Sequence, residues 1–282
     1  MKHVVIVGTG LIGSSFGLAL RRAGYQGAIT GVSSPRAAAA ALTVGAIDRA
    51  APLAEAMPNA DLVFLSQTIG RILDTIRHID PLLKPDALVT DAGSTKCEIV
   101  DLARQCVTRA QFLGGHPMAG KELRGAAAAD PDLFRNRTWV LTPDDESELR
   151  TPAAGEFRGW LGKIGARILV LDADEHDRVV SLTSHLAQLA STALAATVSD
   201  RLGASPREQA AGPGLEDMTR LALGSYEIWR DILATNTAHI DRALSLYIQK
   251  LEHLRENLRT RQLQEEFERG TALAARIRKI RA

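Results

Sequence analysis

Short apolar runs alternate with helix-length segments through the first half of the chain. The runs are HVVIVG, AITGVS, DLVFLS, ALVTDAG and QFLGGH. Each is rich in β-prone residues and bounded by small or polar ones, and their alternation with helical segments is typical of a parallel α/β sheet. Two later runs, TWVLTP and ARILVLD, flank a helical stretch and are candidates to extend this sheet.

Beyond the last of these runs the strand pattern stops. Long segments of helical periodicity follow, among them HDRVVSLTSHLAQLASTALAATV and HIDRALSLYIQKLEHLRENL. We therefore predict two domains: an α/β dinucleotide-binding domain of the Rossmann type at residues 1–171, and an all-α domain at residues 172–282.

The helical domain contains more aliphatic residues than one small bundle readily buries. Leucines recur along one predicted helix at Leu244, Leu251, Leu254 and Leu258. Such a stripe is explained either by packing inside a self-contained bundle or by contact with a second subunit. We favour the second explanation and expect a homodimer formed through this domain.

Composition narrows the class of protein. The 282 residues include 45% hydrophobic and 24% charged residues, which is ordinary for a globular protein, and the net charge of +1 favours neither nucleic acid nor a membrane as a partner. The apolar runs are shorter than the roughly 18 residues of a membrane span, and the chain starts as a strand rather than as a signal peptide. We expect a cytoplasmic protein without a metal site. Cys97 and Cys106 are too far apart in one predicted helix to bridge and are expected to be reduced.

A glycine-rich turn follows the first predicted strand. The sequence VVIVGTGLIGSSFGLAL places Gly8, Gly10 and Gly13 in G-x-G-x-x-G spacing between a strand and a helix. In this context the glycines allow a tight turn, close approach of the backbone to a pyrophosphate, and close helix packing, while the helix N-terminus offers N–H groups to the phosphates. A dinucleotide site is predicted here, and its expected lining also includes Leu11, Ile12 and Ser66.

The end of the second predicted strand lacks the acidic residue that usually holds the ribose 2′-hydroxyl of NAD. Ser33 occupies that position, and Ser34 and Arg36 follow it in the sequence GVSSPR. Hydroxyl groups and an arginine, in place of a carboxylate, suit the 2′-phosphate of NADP. We therefore favour NADP as the cofactor, with NAD as the alternative.

Two candidate chemical groups follow later strands of the predicted sheet. The run VTDAGSTK ends one strand and GGHP follows the next, so Ser94 and His116 are expected near the carboxyl edge of the sheet, where the nicotinamide of a dinucleotide would lie. Thr95 and Glu98 have the spacing of a capping box for the helix that starts there. Lys96, at the same helix start, either contacts a ligand or lies on the surface.

Several motifs taken together resemble the prephenate/arogenate dehydrogenase family of tyrosine biosynthesis. They are GTGLIGSS, TDAGSTK, GGHPMAGKELRG, SHLAQLAS and EDMTRLALGSYEIWRDI, and the resemblance covers nearly the whole chain. It implies an enzyme that oxidises a cyclohexadienyl ring alcohol, prephenate or arogenate, by hydride transfer to NAD(P) with loss of the ring carboxylate as CO2. The products would be 4-hydroxyphenylpyruvate or tyrosine.

The resemblance assigns roles to individual residues. His116 matches the family's acceptor of the ring-hydroxyl proton, a task that needs a neutral imidazole, and Ser94 matches a hydroxyl near it. The substrate carries two carboxylates, and in a partly buried site each needs a cationic partner. Arg220 matches the arginine for the side-chain carboxylate, and Glu122 matches a glutamate that pairs with it. Lys121 is a candidate partner of the ring carboxylate, with solvent exposure as the alternative.

One helix departs from the family pattern. His185 and Gln188 share an edge of the predicted helix and are expected to bind substrate. Many prephenate-using relatives have SHLPH where this chain has SHLAQ, so Gln188 replaces a second histidine. Loss of a potential cation suits the amino group of arogenate better than the keto acid prephenate, and dual specificity remains open.

Two other functions remain as alternatives. A β-hydroxyacid dehydrogenase or imine reductase would share the domain layout but would leave GGHPMAG unexplained, and a non-catalytic NADP-binding redox sensor would bind the cofactor without turnover. We also expect neither a helical mutase module before the glycine turn nor a regulatory domain after the helices. Inhibition by tyrosine, where it occurs, would then be competition at the active site.

Overall fold

The computed structural model describes residues 1–121, 123–203, 206–260 and 262–281. The chain divides by its internal contacts into two compact units. The first comprises Met1–Val180 and Leu223–Asn236, and the second comprises Ser181–Ala222 and Thr237–Ala282.

Within the described residues, the strands of the first unit form one eight-stranded sheet of order β3-β2-β1-β4-β5-β6-β7-β8. The strands are β1 (His3–Val7), β2 (Ala28–Val32), β3 (Arg49–Ala50), β4 (Leu62–Leu65), β5 (Leu88–Asp91), β6 (Gln111–Pro117), β7 (Thr138–Thr142) and β8 (Arg167–Val170). From β3 to β6 all neighbouring strands are parallel. The predicted Rossmann-type α/β fold is confirmed.

The far edge of the sheet is mixed. Strand β7 runs antiparallel to β6, and β8 runs parallel to β7. The connection from β6 to β7 contains a short 3-10 turn rather than a full helix. A parallel pairing needs a crossover, usually a helix, so a plain loop between neighbouring strands reverses the chain direction.

The α-helices in the described chain follow this order. They are α1 (Leu11–Arg22), α2 (Pro35–Thr43), α3 (Leu53–Ala56), α4 (Ile69–Ile79), α5 (Cys97–Cys106), α6 (Pro152–Lys163), α7 (Ala173–Val180), α8 (Leu186–Leu202), α9 (Pro213–Thr219), α10 (Tyr226–Thr235), α11 (Thr237–Glu256) and α12 (Gln264–Arg281). The prediction of an α/β half followed by a helical half is confirmed. The predicted domain boundary at Leu171 stays a prediction.

The sheet of the first unit is buried on both faces. Along β1, Val4 and Ile6 point into one apolar cluster while Val5 and Val7 point into the other, as the two-residue period of a strand requires. The first cluster contains an aromatic group that encloses Trp139, whose side chain is fully buried. Its other members are Phe16, Phe64, Phe134 and Phe157. The sheet is therefore a rigid support for the turns at its carboxyl edge.

The second unit exposes much of its apolar surface. Leu246, Leu251 and Leu258 are 55%, 46% and 73% exposed, and Phe267 is 71% exposed. The helical stretch Ala173–Leu202 is long and apolar enough to cross a membrane by length and composition, although polar residues interrupt it, and 28% of its most apolar window is buried. Helices of soluble proteins meet the same criteria when an apolar face packs against other protein.

Candidate active site

The glycine turn between β1 and α1 has the geometry that its spacing predicts. Gly8 has φ +96° and its N–H donates to the Val32 carbonyl at 2.8 Å. A Cβ on Gly8 would lie 2.7 Å from the Ser66 carbonyl oxygen, and one on Gly13 would lie 2.1 Å from the Gly8 carbonyl oxygen. Both positions therefore require glycine for the turn and the helix to pack.

Gly10 differs from the other two glycines. Apart from Gly10 itself and the adjoining backbone, no heavy atom of the described residues lies within 4 Å of a Cβ built on Gly10. Packing therefore does not explain a glycine here, whereas approach of a ligand to the bare backbone does. Leu11 and Ile12 form the start of α1, where backbone N–H groups lack partners within the helix. These residues fit the pyrophosphate of a dinucleotide.

Ser66 supports the turn from the neighbouring strand. Its hydroxyl donates to the Gly8 carbonyl at 2.6 Å, and its N–H donates to the Val7 carbonyl at 2.8 Å. These bonds tie the end of β4 to the glycine turn. A direct contact of Ser66 with a cofactor stays a prediction.

The end of β2 is exposed at the predicted ribose position. Ser33 and Arg36 are exposed, and Ser34 is the N-cap of α2, with its hydroxyl oxygen accepting the Ala37 N–H at 3.4 Å. No carboxylate occupies the positions from Ser33 to Arg36. The structure thus assigns a capping role to Ser34 and leaves its predicted contact with the ribose untested.

His116 lies near the end of β6 and is 9% exposed. Its strand extends past β5, because the pairing of these two strands ends at Leu113. The His116 Nδ1 atom lies 2.8 Å from Nε2 of His176, and Nδ1 of His176 lies 2.8 Å from a carboxylate oxygen of Asp177. Helix α7 supplies both partners, which are almost completely buried.

Asp177 also caps α5. Its carboxylate accepts the backbone N–H groups of Lys96 at 2.7 Å and Cys97 at 3.0 Å. The predicted capping box of Thr95 and Glu98 is therefore wrong. The Thr95 hydroxyl instead lies 2.7 Å from that of Thr235.

Lys96 is completely buried, so the surface alternative for this residue is wrong. Its ammonium forms an ion pair with Asp91 and donates to the Gly115 carbonyl at 2.9 Å. Asp91 accepts the N–H of Gly115 at 3.0 Å and that of Gly93 at 2.7 Å. The pair therefore holds both backbone groups of the residue that precedes His116. Burial lowers the pKa of Lys96, and the neighbouring Asp91 opposes this shift.

In the cluster beside His116, His176 is held neutral and Asp177 is held ionised. Burial lowers the pKa of His176, although the hydrogen bond to Asp177 opposes the shift. Burial acts to raise the pKa of Asp177, but hydrogen bonds from His176 and the Cys97 N–H hold that pKa below its usual value. At neutral pH the pair is a neutral imidazole bonded to a carboxylate.

Ser94 lies in the turn between β5 and α5 and is half-buried. Because β5 and β6 are neighbouring parallel strands, Ser94 and His116 follow the same edge of the sheet. This is the placement that the motifs predict. Their direct contact with a substrate stays a prediction.

In the second unit, Gln188 supports the turn that carries Arg220. The Gln188 amide donates to the Leu221 carbonyl at 2.8 Å, and the Ser191 hydroxyl accepts the Ala222 N–H at 3.1 Å. Arg220 itself is exposed on this 3-10 turn. His185 is 1% exposed and lies in the π-helical turn Ser181–His185.

The loop after β6 holds the remaining predicted residues. Lys121 forms an ion pair with Asp130 at 2.8 Å, and the Asp130 N–H donates to the Ser15 hydroxyl oxygen at 2.9 Å. Glu122 lies outside the described residues. Within the part of the chain that the structure describes, no group of three His, Cys, Asp or Glu side chains has an arrangement that could hold a metal ion.

Sequence reasoning missed His176 and Asp177. The signal available was the adjacent pair in ADEHDRV, which lies at the predicted domain boundary. The helical periodicity of this segment predicts only the start of a helix and indicates no chemical role for the two residues. Only the fold brings it beside β6.

Both halves of the chain match models of one family. A model described as the nucleotide-binding domain of prephenate dehydrogenase matches residues 16–170, and one described as the dimerization domain of prephenate dehydrogenase matches residues 172–272. The chain is also similar to a prephenate dehydrogenase of Lactococcus lactis subsp. cremoris, with 36% identity over 241 residues. That match covers 84% of this chain and 65% of the relative's length.

Two solved structures extend the similarity to the fold. Prephenate dehydrogenase from A. aeolicus, in complex with hydroxyphenyl propionate and NAD+, is 28% identical with a TM-score of 0.86, and the match covers 99% of this chain and 98% of that one. Synechocystis arogenate dehydrogenase is 29% identical with a TM-score of 0.78, and the match covers 98% and 99%. These findings confirm the resemblance that the motifs predict.

The glycine turn yields a matched pair of variants. Gly10→Ala has open space for its methyl group and backbone angles that alanine adopts, so its melting temperature should equal that of the wild type while NAD(P)H binding weakens by at least about tenfold. Gly13→Ala should lose about 1–3 kcal/mol of stability, because its methyl group meets the Gly8 carbonyl. Thermal unfolding and fluorescence titration measure the two effects. Wild-type binding by Gly10→Ala would show that no ligand approaches this backbone.

Proposed function

Because the chain belongs to the prephenate dehydrogenase family, we propose that it catalyses the NAD(P)-linked oxidation and decarboxylation of a cyclohexadienyl acid, prephenate or arogenate. The observation that carries the proposal is the placement of His116 beyond the end of β5, beside the turn that holds Ser94 and on the sheet that carries the glycine turn. A bound nicotinamide dinucleotide would supply the hydride acceptor.

His116 is the proton acceptor in this proposal. As hydride leaves the ring carbon, its hydroxyl oxygen develops carbonyl character and releases a proton, and a neutral imidazole that takes this proton stabilises the transition state. Ser94 is proposed to hydrogen-bond the same hydroxyl. The Asp91–Lys96 pair stiffens the backbone before His116, which supports a fixed position for the ring.

Cationic side chains are proposed to bind the two carboxylates of the substrate. Arg220 is assigned to the side-chain carboxylate, because a guanidinium bonds a carboxylate at two points. Lys121 is assigned to the ring carboxylate, and this requires the ammonium to exchange its contact with Asp130 for the substrate. The pairing of Glu122 with Arg220 stays a prediction.

NADP is proposed as the preferred cofactor. The support is the exposed Ser33 and Arg36 at the end of β2, with no carboxylate between them to repel a 2′-phosphate. NAD is the alternative, since the A. aeolicus relative was solved with NAD+.

Both prephenate and arogenate are proposed as substrates. Relatives named for each acid match nearly the whole chain. Gln188 and His185 remain the residues proposed to distinguish them. Because the Gln188 amide bonds the turn of Arg220, part of its effect would pass through the position of that turn.

A homodimer is proposed through the second unit. Leucines along α11 and an aromatic side chain on α12 are exposed, and contact with a second subunit would bury them. The matching family model is described as a dimerization domain. Burial of α8 in the same dimer is proposed to account for the apolar character of this helix.

The kinetic prediction concerns the roles of His116 and Arg220. The His116→Asn variant should lose kcat by about 10²–10⁴-fold with little change in KM, because the lost interaction strengthens only as the proton leaves. Activity of the wild type should fall as the pH is lowered and the imidazole gains a proton, since a protonated imidazole cannot accept another. Arg220→Ala should instead raise KM about 10- to 100-fold.

Steady-state formation of NADPH or NADH with each acid, measured over a range of pH, tests these roles. A His116→Asn enzyme with near-wild-type kcat, or with the wild-type acid limb, would remove His116 from the mechanism. Wild-type protein that turns over neither acid would contradict the proposed function itself.

The cofactor prediction uses Ser33. Replacing it with Asp should shift the ratio of kcat/KM values from NADP toward NAD, because the new carboxylate repels the 2′-phosphate and accepts the 2′-hydroxyl. Ser33→Ala is the control without a charge and should change the ratio little. Wild-type preference for NAD by about tenfold, or 1.4 kcal/mol, would contradict the assignment.

The dimer prediction uses charged substitutions on exposed leucines. Wild-type protein should have twice the chain mass of 30.3 kDa in light scattering. Leu246→Glu combined with Leu251→Glu should yield the monomer, because carboxylates at an apolar contact are costly to bury. Leu42→Glu, at a 42% exposed leucine in the first unit, is the matched control and should remain dimeric. A wild-type monomer at micromolar concentration rules out the proposed contact.

A further inference from the structure

Asp177, His176 and His116 form a continuous chain of hydrogen bonds inside the first unit. The two imidazole rings meet nearly edge-on, with centroids 5.1 Å apart and an interplanar angle of 68°, and the nitrogen-to-nitrogen distance is 2.8 Å. The second link, from His176 to the carboxylate, is also 2.8 Å. In this series of hydrogen bonds, the ring of His176 joins His116 to Asp177.

The direction of each hydrogen bond in this series follows from the ionised carboxylate of Asp177. Ionised Asp177 only accepts hydrogen bonds, so Nδ1 of His176 must carry a hydrogen. A neutral imidazole has one N–H, and this leaves a lone pair on Nε2 of His176. Nδ1 of His116 must then be the donor to that lone pair. In its neutral form, His116 consequently has its own lone pair on Nε2.

Lys96 keeps this order from reversing. Its positive charge, together with burial, disfavours a second proton on His176 and lowers the pKa of that ring. The backbone N–H of Lys96 donates to Asp177, which helps to hold the carboxylate in its ionised form. The same residue bonds the Gly115 carbonyl through its ammonium. Lys96 thus influences His116 in two ways. It holds the backbone of Gly115, which precedes His116, and it stabilises the ionised form of Asp177.

We propose that Asp177 and His176 are positioning residues that hold His116 in the neutral tautomer with hydrogen on Nδ1 and the accepting lone pair on Nε2. The inference rests on the proposed function, because it assigns the proton-accepting atom of that reaction. When the substrate hydroxyl releases its proton, that proton binds Nε2 of His116, and the Nδ1–H bond stays directed at His176. The resulting imidazolium is stabilised by this hydrogen bond and by the charge of Asp177 beyond it.

The direct test is the tautomer. Nitrogen-15 NMR of the full-length protein, labelled in its histidines and measured near pH 8 without substrate, distinguishes N–H from lone-pair nitrogens in each ring. The expected spectrum shows Nδ1 protonated and Nε2 unprotonated in both His116 and His176, assigned by the His116→Asn and His176→Gln variants. A protonated Nε2 on neutral His116 would overturn the proposal. This readout does not depend on activity.

Kinetics supply the second test. Asp177→Asn permits the reverse order, because its amide can donate to His176, and kcat should fall by about 10²–10⁴-fold with little change in KM. His176→Leu removes the acceptor for Nδ1 of His116 and should have a similar effect. His176→Gln offers an amide oxygen to the same Nδ1 and should recover most of the lost kcat. Asp174→Asn, the same change on an exposed position of α7, is the matched control.

The outcomes separate the possible failures. Asp177→Asn also alters the cap of α5, so its melting temperature is measured, and the His176→Leu and His176→Gln pair tests the proposal with that cap intact. Equal kcat for His176→Leu and wild type would overturn the proposed role of His176 and Asp177. Equal loss in His176→Leu and His176→Gln would also overturn it, because the acceptor would then have no role. If the wild type turns over neither acid, the proposed function fails, and the tautomer in the spectrum still decides the hydrogen-bond order.

Discussion

The candidate site depends on the buried ion pair of Lys96 and Asp91. Charged groups without access to water are tolerated only when each is paired and its remaining hydrogen-bonding capacity is used. Here the remaining partners are backbone groups of Gly93 and Gly115. The hydrogen bonds that satisfy the buried pair therefore also fix the backbone of two segments at the edge of the sheet. Removal of one partner from such a pair typically costs about 3–5 kcal/mol, because the other charge remains buried. Stability of the first unit and the position of His116 are therefore linked through the same atoms.

Asp177 adds a second constraint, because its one carboxylate also serves two structural roles. One carboxylate accepts two N–H groups at the start of α5 and the N–H of His176. A helix start concentrates partial positive charge, which favours the ionised carboxylate. The ionised carboxylate in turn determines which nitrogen of His176 carries hydrogen. The cap of α5 and the hydrogen-bond order at His116 thus depend on one charge, and a change at Asp177 alters both.

The local patterns of the sequence predicted the sheet, the glycine turn and the edge on which Ser94 and His116 lie, because strand period and turn chemistry are properties of neighbouring residues. Other features depend on contacts that sequence neighbours do not reveal. The capping box of Thr95 and Glu98 was reasonable locally, but an aspartate from α7 supplies the cap instead. The sequence does not distinguish a ligand contact of Lys96 from a surface position, since its burial depends on Asp91 across a turn. Strand β3 has two residues, too few for any period to show.

Gln188 shows why substrate preference is harder to predict than reaction class. Compared by charge alone, glutamine in place of histidine removes a potential cation from the predicted substrate site. In the structure Gln188 is 6% exposed, and its amide donates to the carbonyl of Leu221, next to Arg220. Neutral histidine has one N–H, whereas the glutamine amide has two, and here the second donates to the Thr192 hydroxyl at 3.2 Å. A substitution at this position therefore changes the support of the arginine turn as well as the local charge. Gln188 can therefore act on the proposed choice of substrate through the position of this turn as well as through direct contact.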